Sequence, residues 1–147
     1  MKRAQFILSL LIIACVASPL FANGGAEGET GPIKIGAIFS ETGPVSFLGA
    51  PEANTARMMQ EQINADGGVL GRPIEIIIKD DQASTEKTLS FAKQLVEEEG
   101  VIAIIGPTGS GNTMTIKDYM EESQTILLSC AAAEAIVEPL ADYVFKT

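Results

Sequence analysis

The stretch Val101-Ile102-Ala103-Ile104-Ile105-Gly106-Pro107-Thr108-Gly109-Ser110-Gly111-Asn112-Thr113 decides how this chain is read. Its first five residues are an uninterrupted apolar run rich in β-branched side chains, too short for a buried helix, and they read as a strand buried on both faces. The loop Gly106-Pro107-Thr108-Gly109 follows. Beyond it Thr113, Ile116 and Met120 recur at helical spacing. A buried strand passing through a glycine-rich loop into a helix is half of a βαβ unit, so the same alternation is expected on either side.

It is found on both. Upstream, Ile33–Phe39 is an Ile-rich strand bounded by Pro32 and the Ser-Glu-Thr-Gly-Pro turn at 40–44. From about Ala50 to Ala65 the spacing is helical, with Ala53, Ala56, Met59 and Ile63 on one face and Glu52, Arg57, Gln60 and Glu61 largely opposite. Gly67-Gly68 stops that helix, and Pro73 leads into a second strand, Ile74–Lys79, which ends at Asp80-Asp81. Ser84 is placed to cap the next helix, with Glu86 in its first turn, a stripe of Leu89, Ala92, Leu95 and Val96, and Gly100 as the stop. Downstream, Ile126–Ser129 is a fourth strand, a short helical turn crosses Ala132 to Val137 before Pro139, and Tyr143–Phe145 begins a fifth. The pattern predicts an α/β fold, a doubly wound parallel sheet with helices on both faces. In such sheets ligands sit beyond the carboxyl ends of the strands, which directs attention to loops 40–49, 80–84, 106–112 and 129–134.

Composition narrows the function. The 147 residues carry 19 acidic and 10 basic side chains and no His, for a formal charge of −9. Imidazole catalysis and His metal sites are excluded, and the lack of clustered Lys and Arg argues against nucleic acid as a partner. With no Trp and few aromatic residues in a chain that is 46% hydrophobic, the core is expected to be aliphatic.

The first 22 residues read as a secretory signal. Met1-Lys2-Arg3 is a basic n-region, and Phe6–Val16 is an apolar run interrupted only by Ser9, short of the ~20 residues that span a bilayer. Two processing routes stay open. Leu20-Phe21-Ala22 is an ordinary cleavage site, whereas Leu11-Ile12-Ile13-Ala14-Cys15 resembles a loose lipobox in which Cys15 becomes a lipid anchor. Cleavage after Ala22 removes 22 of the 147 residues together with Lys2 and Arg3, leaving 125 residues and a charge of −11. Cys130 is then the only cysteine, so no disulfide forms within the chain. Residues 23–32, rich in Gly and Glu, read as a flexible tether, and 33–147 as the folded region.

The loop that opened this reading invites a nucleotide. Gly106-x4-Gly111-Asn112-Thr113 differs from a phosphate-binding P-loop at one position, but that position is the lysine that neutralises the β and γ phosphates. Successive N–H groups at a helix start, with Ser110 among them, suit a single carboxylate as well. The plainer alternative is a tight turn in which Ser110 caps its own helix. Of Asp80 and Asp81, one is expected to cap a loop and the other to be solvated. Glu97-Glu98-Glu99 reads as a solvated face, and Cys130 as a small buried hydrophobe.

Four segments, IKIGAIFSETGPVSFLG at 33–49, INADGGVLGRPIEIIIKDDQAS at 63–84, AIIGPTGSGNT at 103–113 and ILLSCAAAEAI at 126–136, occur in family order and spacing. In these the chain resembles the extracytoplasmic solute-binding proteins of ABC importers in the Leu/Ile/Val-binding class, with the type I periplasmic-binding fold. The resemblance implies a two-lobed protein that closes on an amino acid, hands it to membrane permease subunits, and uses no catalytic residue, cofactor or metal. It implies that Gly109 and Ser110 hold the ligand α-carboxylate and that Ala131-Ala132-Ala133 face its ammonium and carboxylate. It also implies that Leu48, beside Phe47, takes a place often aromatic in the family. The chain departs from the pattern at Ala133, where a hydroxyl-bearing residue is usual. Members of the family run to roughly twice this length or more, so the chain is expected to be a fragment, truncated in the first lobe before the second. A membrane sensor's ligand-binding domain of the same fold is the alternative, with a degenerate P-loop protein behind it.

Overall fold

Residues 31–147 are described in a computed structural model. The export signal, Cys15 and most of the 23–32 tether lie outside the described residues. At the tether's end the Arg72 Nε–H donates to the Gly31 carbonyl at 2.9 Å.

Five parallel strands form one sheet among these residues: β1 (Ile33–Phe39), β2 (Ile74–Asp80), β3 (Ala103–Ile105), β4 (Ile126–Ser129) and β5 (Val144–Lys146). Their spatial order is β2-β1-β3-β4-β5. The connections carry helices α1 (Ser46–Ala65), α2 (Thr85–Lys93) and α3 (Ser110–Glu122). Helix α2 continues into a π-helical turn, Gln94–Glu99, and a 3-10 turn, Glu134–Ile136, precedes β5.

Strand periodicity distributes the core between two layers. Ile38 packs with Ile104, Leu127 and Val144 against Ala92, Leu95, Ile116 and Met120, so α2 and α3 cover one face. Ala37 and Phe39 point the other way, onto Ala53 and Ala56 of α1. That second face is covered only in part. Ile126, Leu128 and Phe145 point to it from β4 and β5 and are 46%, 36% and 47% exposed. Met59, expected in the buried stripe of α1, is 41% exposed for the same reason: no other helix among the described residues flanks α1 on this side.

The boundaries that moved have local causes. Helix α1 starts at Ser46, a turn before the expected Ala50, with Pro51 inside it. The fixed φ of proline suits a helix, and its missing N–H deprives only the Phe47 carbonyl, near an exposed helix start. Strand β3 begins at Ala103 because the Val101 N–H closes the preceding turn onto the Leu95 carbonyl at 3.1 Å. Ser84 caps α2 as expected, accepting from the Lys87 N–H at 3.4 Å, and Gly100 ends the turn at a φ of +67°.

The chain lays β2 on one side of β1 and β3 on the other. The reversal of strand order therefore falls between β1 and β3, and the loops after these strands lie at the carboxyl edge, where ligands of such sheets sit.

Candidate ligand-binding site

Two backbone approaches shape this edge. Gly106, at the end of β3, has a φ of +93°, and a Cβ there would stand 2.2 Å from the Ile38 carbonyl oxygen. Only glycine lets the β3 loop turn so close to β1. A Cβ on Gly49 would meet the Ser40 carbonyl oxygen at 2.3 Å, so the first turns of α1 rest directly on the β1 loop. The two loops are also hydrogen-bonded. The Ser40 N–H donates to Thr108 Oγ1 at 3.1 Å, and that hydroxyl donates to Glu52 Oε2 at 2.5 Å. Burial raises the Glu52 carboxyl above its usual value; the Thr108 hydroxyl opposes that shift, and the charge of Asp81 adds to it.

Ser110 opens α3, but it does not cap it. The cap position is Gly109, which offers no side chain to the first-turn N–H groups. The Ser110 hydroxyl instead accepts from the Ala133 N–H at 3.4 Å, which corrects the self-capping alternative and joins the start of α3 to the loop after β4. Ala131, buried, donates its N–H to Ser129 Oγ at 3.1 Å, and that oxygen lies 2.8 Å from Thr113 Oγ1. Two ammonium groups hold the rest of the segment. Lys146 Nζ donates to the Ala132 carbonyl and to Glu134 Oε1, each at 3.1 Å, and the buried Lys117 Nζ donates to the Ala135 carbonyl at 3.0 Å. Sequence reasoning missed both lysines, since nothing in their spacing marks them as loop supports.

Gly109, Ser110, Ala131, Ala132 and Ala133 are thus brought together at the ends of β3 and β4. Leu48 stands in the first turn of α1, 49% exposed, with Phe47 at 72%.

The two aspartates differ from the expected pair. Asp80 caps its loop, accepting from the Thr42 hydroxyl at 2.6 Å, the Thr42 N–H at 3.2 Å and the Gln82 N–H at 3.1 Å. Burial pushes its carboxyl up, but these donors outweigh that effect and hold it below the usual carboxylate value. Asp81 is not solvated: it is 0% exposed, with four donors on its carboxylate. One of them is Asn112, the residue in the P-loop lysine position. Its amide points inward to Asp81 and Thr88, away from any phosphate at the loop. Cys130 is half-buried rather than enclosed, and its thiol is pushed up by burial and by the Glu52 charge, against a weaker opposing effect from the Gly106 N–H.

A hollow of about 490 Å³ opens under α1, lined by Phe39, Glu52, Met59, Ile105 and Cys130 among others, and one of about 450 Å³ lies at the opposite, amino-terminal edge of the sheet beside Pro32 and Ile102. Neither is lined by Ser110 or Ala133, both of which are partly exposed. Among the described residues no three Cys, Asp or Glu side chains gather as a metal site, and no helix is long and apolar enough to cross a membrane.

The parallel sheet, with the start of α3 and the loop after β4 gathered at its carboxyl edge, has the layout of one lobe of a type I periplasmic-binding fold. The chain belongs to the periplasmic binding protein family, whose model matches residues 32–147. It is 32% identical over 132 residues to the leucine-, isoleucine-, valine-, threonine- and alanine-binding protein of Pseudomonas aeruginosa, an alignment covering 90% of this chain and 34% of that one. Among solved structures it is similar to the branched-chain amino acid transporter substrate binding protein LivJ of Streptococcus pneumoniae in complex with isoleucine. There the TM-score is 0.74 at 32% identity, over 78% of this chain and 33% of the other. A solute binding protein of an ABC transporter from Rhodopseudomonas palustris, in complex with 3,4-dihydroxybenzoic acid, shares the fold with a TM-score of 0.69 at 24% identity. The expected type I periplasmic-binding fold is borne out. The chain spans about a third of the length of these relatives.

Proposed function

We propose that this chain is the first lobe of an extracytoplasmic solute-binding protein that captures an amino acid of branched-chain or related type and delivers it to the permease of an ABC importer. The observation that carries this reading is the convergence of the Ser110 hydroxyl and the uncapped start of α3 on the backbone of Ala133. A helix start with free-standing N–H donors and one hydroxyl favours a single carboxylate. In the Ala131–Ala133 segment the Ala132 carbonyl accepts from Lys146 and the Ala133 carbonyl from the Ile136 N–H, so the Ala131 carbonyl is the one that suits an ammonium. Both poles of a zwitterion are then served without a titrating side chain, as expected of a protein that binds and releases its cargo unchanged.

In this reading Gly109 and Ser110 hold the α-carboxylate, Ala131, Ala132 and Ala133 bracket the α-ammonium, and Leu48 bounds the side-chain end. A second lobe closes over the open surface and expels water. Residues 1–22 direct export, by ordinary cleavage or through a lipid on Cys15, and 23–32 tether the lobe. Relatives that bind leucine, isoleucine, valine, threonine or alanine support the ligand class.

A thermal-shift series over the amino acids tests it. A solute that binds only the folded state raises stability by RT ln(1 + [L]/Kd), about 2.7 kcal/mol at 100 Kd. The full-length protein should be stabilised by at least one small aliphatic amino acid and not by ATP. Stabilisation by ATP, with no response to any amino acid, would reject the proposal.

A further inference from the structure

The carboxylate of Asp81 is fully buried, and the four donors on it come from four places in the chain. Oδ1 accepts from the Ser40 hydroxyl at 2.6 Å and the Ala83 N–H at 2.9 Å; Oδ2 accepts from the Thr88 hydroxyl at 2.7 Å and the Asn112 amide at 3.0 Å. Asn112 also donates to Thr88 Oγ1 at 2.7 Å, so α2 and α3 are joined on the same oxygen. A buried carboxylate with these donors is strongly held, because removing one partner strands a group that water cannot reach.

The positions of the donors give the network a use. Ser40 is the residue on which Gly49 and the first turns of α1 rest, and α1 carries Leu48. Asn112 lies in the first turn of α3, two residues after Ser110. The two sides of the strand-order reversal therefore meet at one carboxylate lying behind the site surface.

We propose that Asp81 is a positioning residue that couples the β1 loop and α1 to the amino terminus of α3, so that the two halves of the ligand surface keep a fixed spacing. It touches no ligand. It acts through Ser40 on one side and Asn112 on the other. The proposal rests on the ligand-site reading for its purpose, but its mechanical content stands apart from ligand identity.

Amide hydrogen exchange in the full-length protein tests the coupling without a ligand. The reporters are the Gly49 N–H, bonded to Val45, and the Thr113 N–H, bonded to Gly109. Coupling predicts crossed effects: Asn112→Ala should speed exchange at Gly49, and Ser40→Ala should speed it at Thr113, each by about tenfold. Asp81→Asn should speed both. Substitutions that speed exchange only on their own side would overturn the proposal, and because the two alanine variants decide it, an Asp81→Asn protein that fails to fold leaves the test intact. The paired measurement is L-isoleucine affinity: Asn112→Ala should weaken it about tenfold, while Asn112→Asp, which puts a like charge beside Asp81, should weaken it further. Isoleucine affinity unchanged in Asn112→Ala would also overturn the proposed role. A wild-type protein that ignores isoleucine rejects isoleucine as the cargo alone, and the exchange comparison still decides the coupling.

Discussion

The Ser110 hydroxyl accepts a hydrogen bond from the Ala133 N–H at 3.4 Å, and through it the first turn of α3 and the loop after β4 share one surface. At 3.4 Å the bond is long, so the hydroxyl can turn toward an incoming carboxylate at small cost.

The family resemblance implies a hydroxyl-bearing residue at the place of Ala133, so on the proposed reading Ala133→Ser should restore a ligand contact. A hydrogen bond to a charged group contributes on the order of 1.5–3 kcal/mol. Calorimetry with isoleucine should show affinity rising about tenfold in Ala133→Ser, with the Tm of the unliganded protein little changed.

Gly106→Ala should be severely destabilising. Its φ of +93° and the 2.2 Å approach to the Ile38 carbonyl leave no room for a Cβ. The expected loss is about 2–3 kcal/mol, seen as a clear fall in denaturant midpoint. Gly111→Ala, where a Cβ meets nothing within 4 Å, is the control and should be nearly neutral.

Glu52 gives a pH dependence of defined sign. Its folded-state carboxyl is raised above 4.5 by burial, so the folded protein binds its proton more tightly than the unfolded chain does. Its contribution favours folding at acid pH and is lost as pH rises from about 4.5 through the raised value. Glu52→Gln, which keeps the acceptor for Thr108, should therefore raise Tm at pH 7 relative to wild type and lose that advantage near pH 4. The group is partly solvated, so a shift of about 1–2 °C is expected. Asp80 works in the opposite sense, its contribution disappearing as pH falls below 3.8 and through its lowered folded value.

Cys130 should alkylate slowly. With its thiol raised by burial and by Glu52, little thiolate exists at pH 8, and iodoacetamide labelling followed by peptide mass mapping should show Cys130 modified much faster in urea than in buffer.

The sheet was legible because its strands read as short runs rich in apolar, β-branched residues, as Ile33–Phe39 and Ile126–Ser129 do, although Ile126 and Leu128 stay partly exposed on one face. The loops that follow them were legible for the same reason, and they contain Gly109, Ser110 and Ala131–Ala133. Asp81 was not. Adjacent aspartates at a strand end carry no mark of which one turns inward, and its partners Ser40, Thr88 and Asn112 are 41, 7 and 31 residues away. The start of α1 was placed late because the helical spacing becomes visible only from about Ala50; the extra turn from Ser46 is seated through Gly49 on Ser40, which spacing does not show. Lys117 and Lys146 were silent because a lysine's partner here is a backbone carbonyl, which every residue offers.

The most direct test of the account is isothermal calorimetry of the full-length protein with L-isoleucine, wild type against Ser110→Ala. The account predicts saturable one-to-one binding by wild type and a loss of about tenfold or more in affinity when the hydroxyl is removed. Equal affinity in both proteins would contradict the placement of the ligand carboxylate at Ser110, and no binding of isoleucine, leucine or valine by wild type would contradict the assigned cargo itself.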